Sequence, residues 1–123
     1  MGGEGHNKEK NMFYNNPRVE NIGPDQLHEK MESGEDIFLL DVRTPLEHAT
    51  QAIKGSQLIP LQELGLRVHE LPKDKEIVAY CRVGNRSAHA ASFLAAQGYT
   101  VKNLEGGIQL WNMTRNASAT KAS

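Results

Sequence analysis

The apolar positions of this chain fall in short blocks separated by polar punctuation, and the blocks alternate between two periods. Ile37-Phe38-Leu39-Leu40 and Ile77-Val78-Ala79-Tyr80 are continuous runs too short for helices. Such runs mark strands buried on both faces, as in a parallel sheet. Arg18–Ile22 and Gln57–Ile59 read as shorter strands, the second stopped by Pro60, and Thr100–Leu104 as a last one. Helical spacing fills the gaps. Gly23-Pro24-Asp25 opens a helix with proline in the first turn and an acid near its positive end, Leu27 and Met31 stand four apart, and Ser33-Gly34 closes it. Pro45–Ala49 predicts a short helix. Leu61, Leu64, Val68 and Leu71 recur at helical intervals up to Pro72. Ser87–Gln97 is alanine-rich, contains Phe93 and Leu94, and ends at Gly98. After Gly106-Gly107 a final helix carries Ile108, Leu110 and Trp111.

Strand and helix in repetition imply βαβ units, which require a parallel sheet with helices on both faces. The predicted class is therefore α/β. No internal repeat is evident. A length of 123 residues holds one domain and not two. Its ends, Met1–Asn16 and Thr114–Ser123, are polar and expected to be flexible tails. That places the domain at residues 17–113. Part of the low hydrophobic content, 38%, comes from those ends.

A net charge of −1 supplies no bulk field for nucleic acid or an anionic membrane, so neither is expected as a partner. Met1–Met12 lacks the apolar run of a signal peptide, and no stretch approaches membrane-spanning length. The sequons at Asn112 and Asn116 accordingly read as chance matches. A single cysteine excludes an internal disulfide and a multi-cysteine zinc site, and it suits a reducing compartment. The expected location is the cytoplasm, with no metal and no cofactor.

Chemistry concentrates between Ile77 and Ala88. A buried strand delivers Cys81 at its C-terminal end, where ligands sit in open α/β sheets. Arg82, Val83, Gly84 and Asn85 follow, then Arg86 and a helix start. Such a loop can curl until successive N–H groups point at one spot, an anion-binding nest. The helix end adds a positive dipole, Arg82 and Arg86 add formal charge, and Gly84 supplies a positive φ. A thiol there should have its pKa lowered and act as a thiolate nucleophile.

These residues resemble the rhodanese family. Tyr80–Ala88 is similar to its active-site loop, and Asn103–Trp111 to its closing signature. Leu40–Glu47 is similar to its second-strand motif, and Ile53–Ser56 with Ile59-Pro60-Leu61 to the next one. The resemblance implies a five-stranded parallel sheet of order 3-2-4-5-1 flanked by helices. It also implies ping-pong sulfur transfer. Cys81 takes a sulfane sulfur from a donor such as thiosulfate, becomes a persulfide, and passes the sulfur to a thiol or cyanide. Arg82, Val83, Gly84, Asn85 and Arg86 would bind the donor. Asp41, Arg43, Glu47 and Ser87 look like supports. Glu47 is spaced to pair with Arg43 or to reach a loop arginine, and the sequence leaves both open. One departure is Gln51-Ala52-Ile53, where the family has Gly-His-Ile. That histidine takes no part in transfer, so the change concerns loop packing.

Spacing separates the main competitor. Cysteine-dependent phosphatases, some on this same fold, place five residues between Cys and Arg, whereas Cys81 and Arg86 enclose four. The smaller loop suits one sulfur atom better than a phosphoryl group with its three oxygens. His89 is expected to be exposed, and His6, His28, His48 and His69 show no metal-ligand spacing. Two functions remain. One is an enzyme turning over thiosulfate or a related small donor. The other is a sulfur-relay module accepting persulfide from a partner protein.

Overall fold

A computed structural model describes residues 19–122, with side chains as far as Arg115. The N-terminal tail expected over residues 1–16 lies outside that range. The strands are β1 (Glu20–Ile22), β2 (Ile37–Asp41), β3 (Gln57–Leu58), β4 (Glu76–Tyr80) and β5 (Val101–Leu104). The α-helices are α1 (Pro24–Glu32), α2 (Pro45–Thr50), α3 (Leu64–Arg67), α4 (Asn85–Ala96) and α5 (Gly107–Ala122).

All four strand pairings are parallel, and the order β1-β5-β4-β2-β3 is the five-stranded arrangement the motifs implied. Central β4 reads out two cores by simple alternation. Ile77, Ala79 and, just past its end, Cys81 face the cluster that includes Ala90, Ala91 and Leu94 of α4, together with Leu64 and Leu71. Val78 and Tyr80 face the cluster built on Leu27 of α1 and on Ile108 and Trp111 of α5. The sheet is thus covered on both sides, and Cys81 and its neighbour Tyr80 belong to opposite faces.

Besides shifts of a residue or so at element ends, three segments differ from the sequence reading. The segment Leu61–Glu70 is a short α-helix between two 3₁₀ turns rather than one helix. With Gly65 inside it and Pro72 beyond, it has too few residues to propagate regular α geometry. Helix α4 begins at Asn85, two residues before Ser87, so Asn85 and Arg86 lie in its first turn and not in the loop. Helix α5 continues past Met113 to Ala122. Within it Arg115 hydrogen-bonds Asp25 of α1 at 2.8 Å and lies over the Trp111 ring. Those contacts give α5 a reason to extend beyond the edge that apolar content alone suggests. No helix among the described residues is long and apolar enough to cross a membrane.

Candidate active site

Cys81 directly follows β4 and is 1% exposed. Its Sγ accepts hydrogen bonds from Gly84 N at 3.1 Å, Ser87 N at 3.4 Å and Ser87 Oγ at 3.3 Å. The chain reaches this geometry because Gly84, the N-cap of α4, sits at φ +118°, a value that favours glycine. The turn brings the N–H of Gly84 and the unpaired first-turn N–H of Ser87 onto one sulfur. Burial pushes the thiol pKa up. The Ser87 hydroxyl and the N–H groups of Ser87, Gly84 and Val83 pull it down further, and the balance lies below the usual cysteine value. The positive end of α4 acts in the same direction.

A second element closes the loop from behind. Ile108 N donates to Cys81 O at 2.9 Å, and Gln109 N to Arg82 O at 3.1 Å, so the first free N–H groups of α5 hold the loop carbonyls. That approach depends on Gly107, at φ +60°, because a Cβ there would run into the carbonyls of Cys81 and Arg82.

The arginines do not act alike. Arg86 donates to both Glu47 carboxylate oxygens at 2.9 and 3.0 Å. Glu47 also completes the capping box of α2, bonding the N–H of Thr44 at 3.0 Å. Hydrogen bonding to Arg86 holds its carboxyl at about 2, against 4.5 for a free glutamate. Of the two pairings the sequence left open for Glu47, the structure takes the one with Arg86 rather than Arg43. Arg82 is exposed and lines a cleft of about 580 Å³ with Leu46, Glu47, Gln51 and Gln109. The direct contacts on the sulfur come from Ser87 and from backbone N–H groups, while Arg86 acts on it only through space.

Asp41 and Arg43 form a fully buried bidentate pair, Nε to Oδ1 at 2.9 Å and a terminal nitrogen to Oδ2 at 2.7 Å. Burial raises the Asp41 pKa, but Arg43 and His48 hold it below the usual carboxylate value. Tyr80 Oη donates to Asp41 Oδ2 at 3.1 Å, accepts from Ile53 N at 3.1 Å, and lies 2.9 Å from Ser56 Oγ. This network is on the face away from Cys81 and ties the loop after β2 to β4. Two of its members, His48 and Tyr80, went unrecognised in the sequence. His48 Nδ1 lies 2.8 Å from Asp41 Oδ2, and only the turn of α2 brings the two together. Gln51, which replaces the expected glycine, accepts at its side-chain oxygen from Asn112 of α5 at 2.9 Å, bridging two walls of the cleft. His89 is exposed, as expected.

The rhodanese-like domain family model matches residues 23–114. A sulfurtransferase of Allochromatium vinosum is 40% identical over 94 residues, covering 76% of this chain and 88% of that protein. A thiosulfate sulfurtransferase of Pseudomonas fluorescens is 31% identical over 103 residues, covering 83% and 93%. Among solved structures, a rhodanese-related protein of Thermoplasma volcanium matches at TM-score 0.72 and 36% identity, covering 77% of this chain and 92% of that one. Fold, loop and sequence similarity agree, and the chain belongs to the rhodanese-like domain family.

Proposed function

We propose that this protein is a sulfurtransferase that carries a sulfane sulfur on Cys81. The observation that supports this most is the convergence of Gly84 N, Ser87 N and Ser87 Oγ on one buried sulfur. The two backbone N–H donors are held by the turn, favour thiolate over thiol and require no rearrangement when negative charge forms.

The chemistry follows in two balanced steps. The Cys81 thiolate attacks the outer sulfur of thiosulfate. A bond from Sγ to that sulfur forms, the donor's S–S bond breaks, and its electron pair leaves on sulfite. The charge then sits on the terminal sulfur of the persulfide. An acceptor thiolate or cyanide attacks that terminal sulfur and takes it, and the Sγ–S bond returns its electron pair to Cys81. No net oxidation occurs and no cofactor is required.

Arg82 stands at the cleft wall and would meet the sulfonate end of an incoming anion. Arg86, neutralised by Glu47, keeps the first turn of α4 in place. The names of the relatives support sulfur transfer in general, and one of them carries thiosulfate in its name. The cleft supports a second reading, a relay module. Its volume of about 580 Å³ falls within the ~300–1,000 Å³ of pockets for sizeable organic ligands.

Steady-state formation of thiocyanate from thiosulfate and cyanide tests the enzyme, measured beside persulfide transfer from a cysteine desulfurase. Thiocyanate turnover that is lost in Cys81→Ser supports the first reading. Transfer from the protein donor alone supports the relay, and failure with both overturns sulfur transfer altogether.

A further inference from the structure

The Ser87 hydroxyl has one proton and two acceptors. Cys81 Sγ lies 3.3 Å away and Asn103 Oδ1 2.6 Å away. One O–H cannot serve both at once. Ser87 is fully buried and Asn103 is 7% exposed, so water does not readily replace either bond. The amide cannot simply turn to suit the hydroxyl. Asn103 Nδ2 donates to Asn21 Oδ1 at 3.2 Å and to Gly84 O at 3.4 Å, which fixes Oδ1 toward Ser87. Asn103 sits on β5 at the same parity as Val101, hence on the α4 side of the sheet.

We propose that Asn103 is a positioning residue for the sulfur chemistry, holding the Ser87 hydroxyl proton while the inner sulfur is uncharged and yielding it to Cys81 when the thiolate forms. The inference rests on the sulfur-transfer reading for its part in turnover, though not for its effect on the thiol itself. In the thiol state the amide oxygen is the better acceptor, and the hydroxyl donates to Asn103. Deprotonation puts charge on Sγ and the O–H swings to it. When the persulfide forms, charge moves to the terminal sulfur and the O–H swings back. Only a torsion changes, and Ser87 keeps its proton throughout.

The surrounding charges do not duplicate this device. Arg86 of α4 acts on the sulfur through space and is paired to Glu47 of α2. Arg82 and Arg43 line the cleft, Arg43 is paired to Asp41, and Lys102 of β5 pairs with Glu76. What β1 and β5 bring to Ser87 is amide alone.

Titrating the thiolate by alkylation rate against pH tests this without any sulfur donor, so its failure is distinct from failure of sulfur transfer. Ser87→Ala should cut the thiolate-to-thiol ratio by roughly tenfold or more, the worth of a hydrogen bond to a charged group. Asn103→Leu should act oppositely, raising that ratio by ~3–10-fold because the competing acceptor is gone. In the Ser87→Ala background the Asn103→Leu change should have no further effect. A merely structural asparagine predicts the reverse: loosening Gly84 would lower the thiolate fraction whether or not Ser87 is present. Either that reversed sign or a shift that survives Ser87→Ala overturns the proposal. A second measurement needs no Asn103 variant. The Asn103 side-chain amide resonances should titrate with the Cys81 midpoint in the wild type and stop doing so in Ser87→Ala. Resonances that ignore the Cys81 midpoint overturn it equally.

Discussion

Glu47 and Arg86, 39 residues apart, are joined by two hydrogen bonds that fasten α2 to the first turn of α4. The pair is part-buried, and it ties the loop after β2 to the start of the helix that follows Cys81. Because Glu47 also caps α2, one carboxylate fixes two helix starts. The Glu47 carboxyl lies at about 2 in the fold and near 4.5 when free. Its stabilising contribution is therefore complete above pH 4.5 and drains away as pH falls through 2. Glu47→Gln should cost about 0.5–1 kcal/mol at neutral pH, as partly exposed ion pairs do. The gap from wild type should close as pH approaches 2. Chemical denaturation at several pH values reads this. A difference that is constant down to pH 2 would assign the loss to something other than the charge.

Gly107 makes the sharpest steric claim. Its positive φ and the closeness of the Cys81 and Arg82 carbonyls leave no room for a side chain. Gly107→Ala should destabilise by about 2–4 kcal/mol, combining backbone strain with a clash against main chain. Thermal melting measures it. An unchanged Tm would mean that α5 does not press on the loop as described.

Tyr80→Phe separates support from chemistry. Removing Oη deprives the buried Ile53 N–H of its acceptor and Asp41 of a donor. A loss of about 1–3 kcal/mol in stability is expected. The ring faces away from Cys81, so thiolate titration should move little. A large change in the thiol's titration with stability intact would place Tyr80 in the site itself.

Arg82→Ala should raise KM for thiosulfate by roughly 10–100-fold, the worth of one charge-assisted hydrogen bond of ~1.5–3 kcal/mol. A neutral sulfane donor should be little affected. Equal losses for charged and uncharged donors would remove Arg82 from donor recognition.

Cys81 and the loop after it could be read from the chain because they are local. A continuous apolar strand, one cysteine, a glycine and a helix start lie in a single stretch, and the apolar run Ile77–Tyr80 is β4 with Glu76 added at its start. What escaped was the long-range part of the polar network, the bonds of Tyr80 to Asp41, Ile53 and Ser56 and of Ser87 to Asn103. Asn103 looked like an ordinary polar position in a short strand. Its signal was parity: it alternates with Val101 onto a buried face, where an apolar residue would be expected. His48 offered no such clue, since its carboxylate partner is reached only through the fold of α2. The start of α4 was placed late because Asn85 and Arg86 are unremarkable helix formers. The αL geometry of Gly84, rather than their propensity, sets the boundary.

The central claim is that Cys81 carries the transferred sulfur. Incubation with thiosulfate, followed by intact-mass spectrometry, tests it most directly. The wild-type chain should gain one sulfur atom, removed by cyanide or dithiothreitol and absent from Cys81→Ser. An unchanged mass across thiosulfate and other sulfane donors, or an adduct that persists in Cys81→Ser, would contradict it.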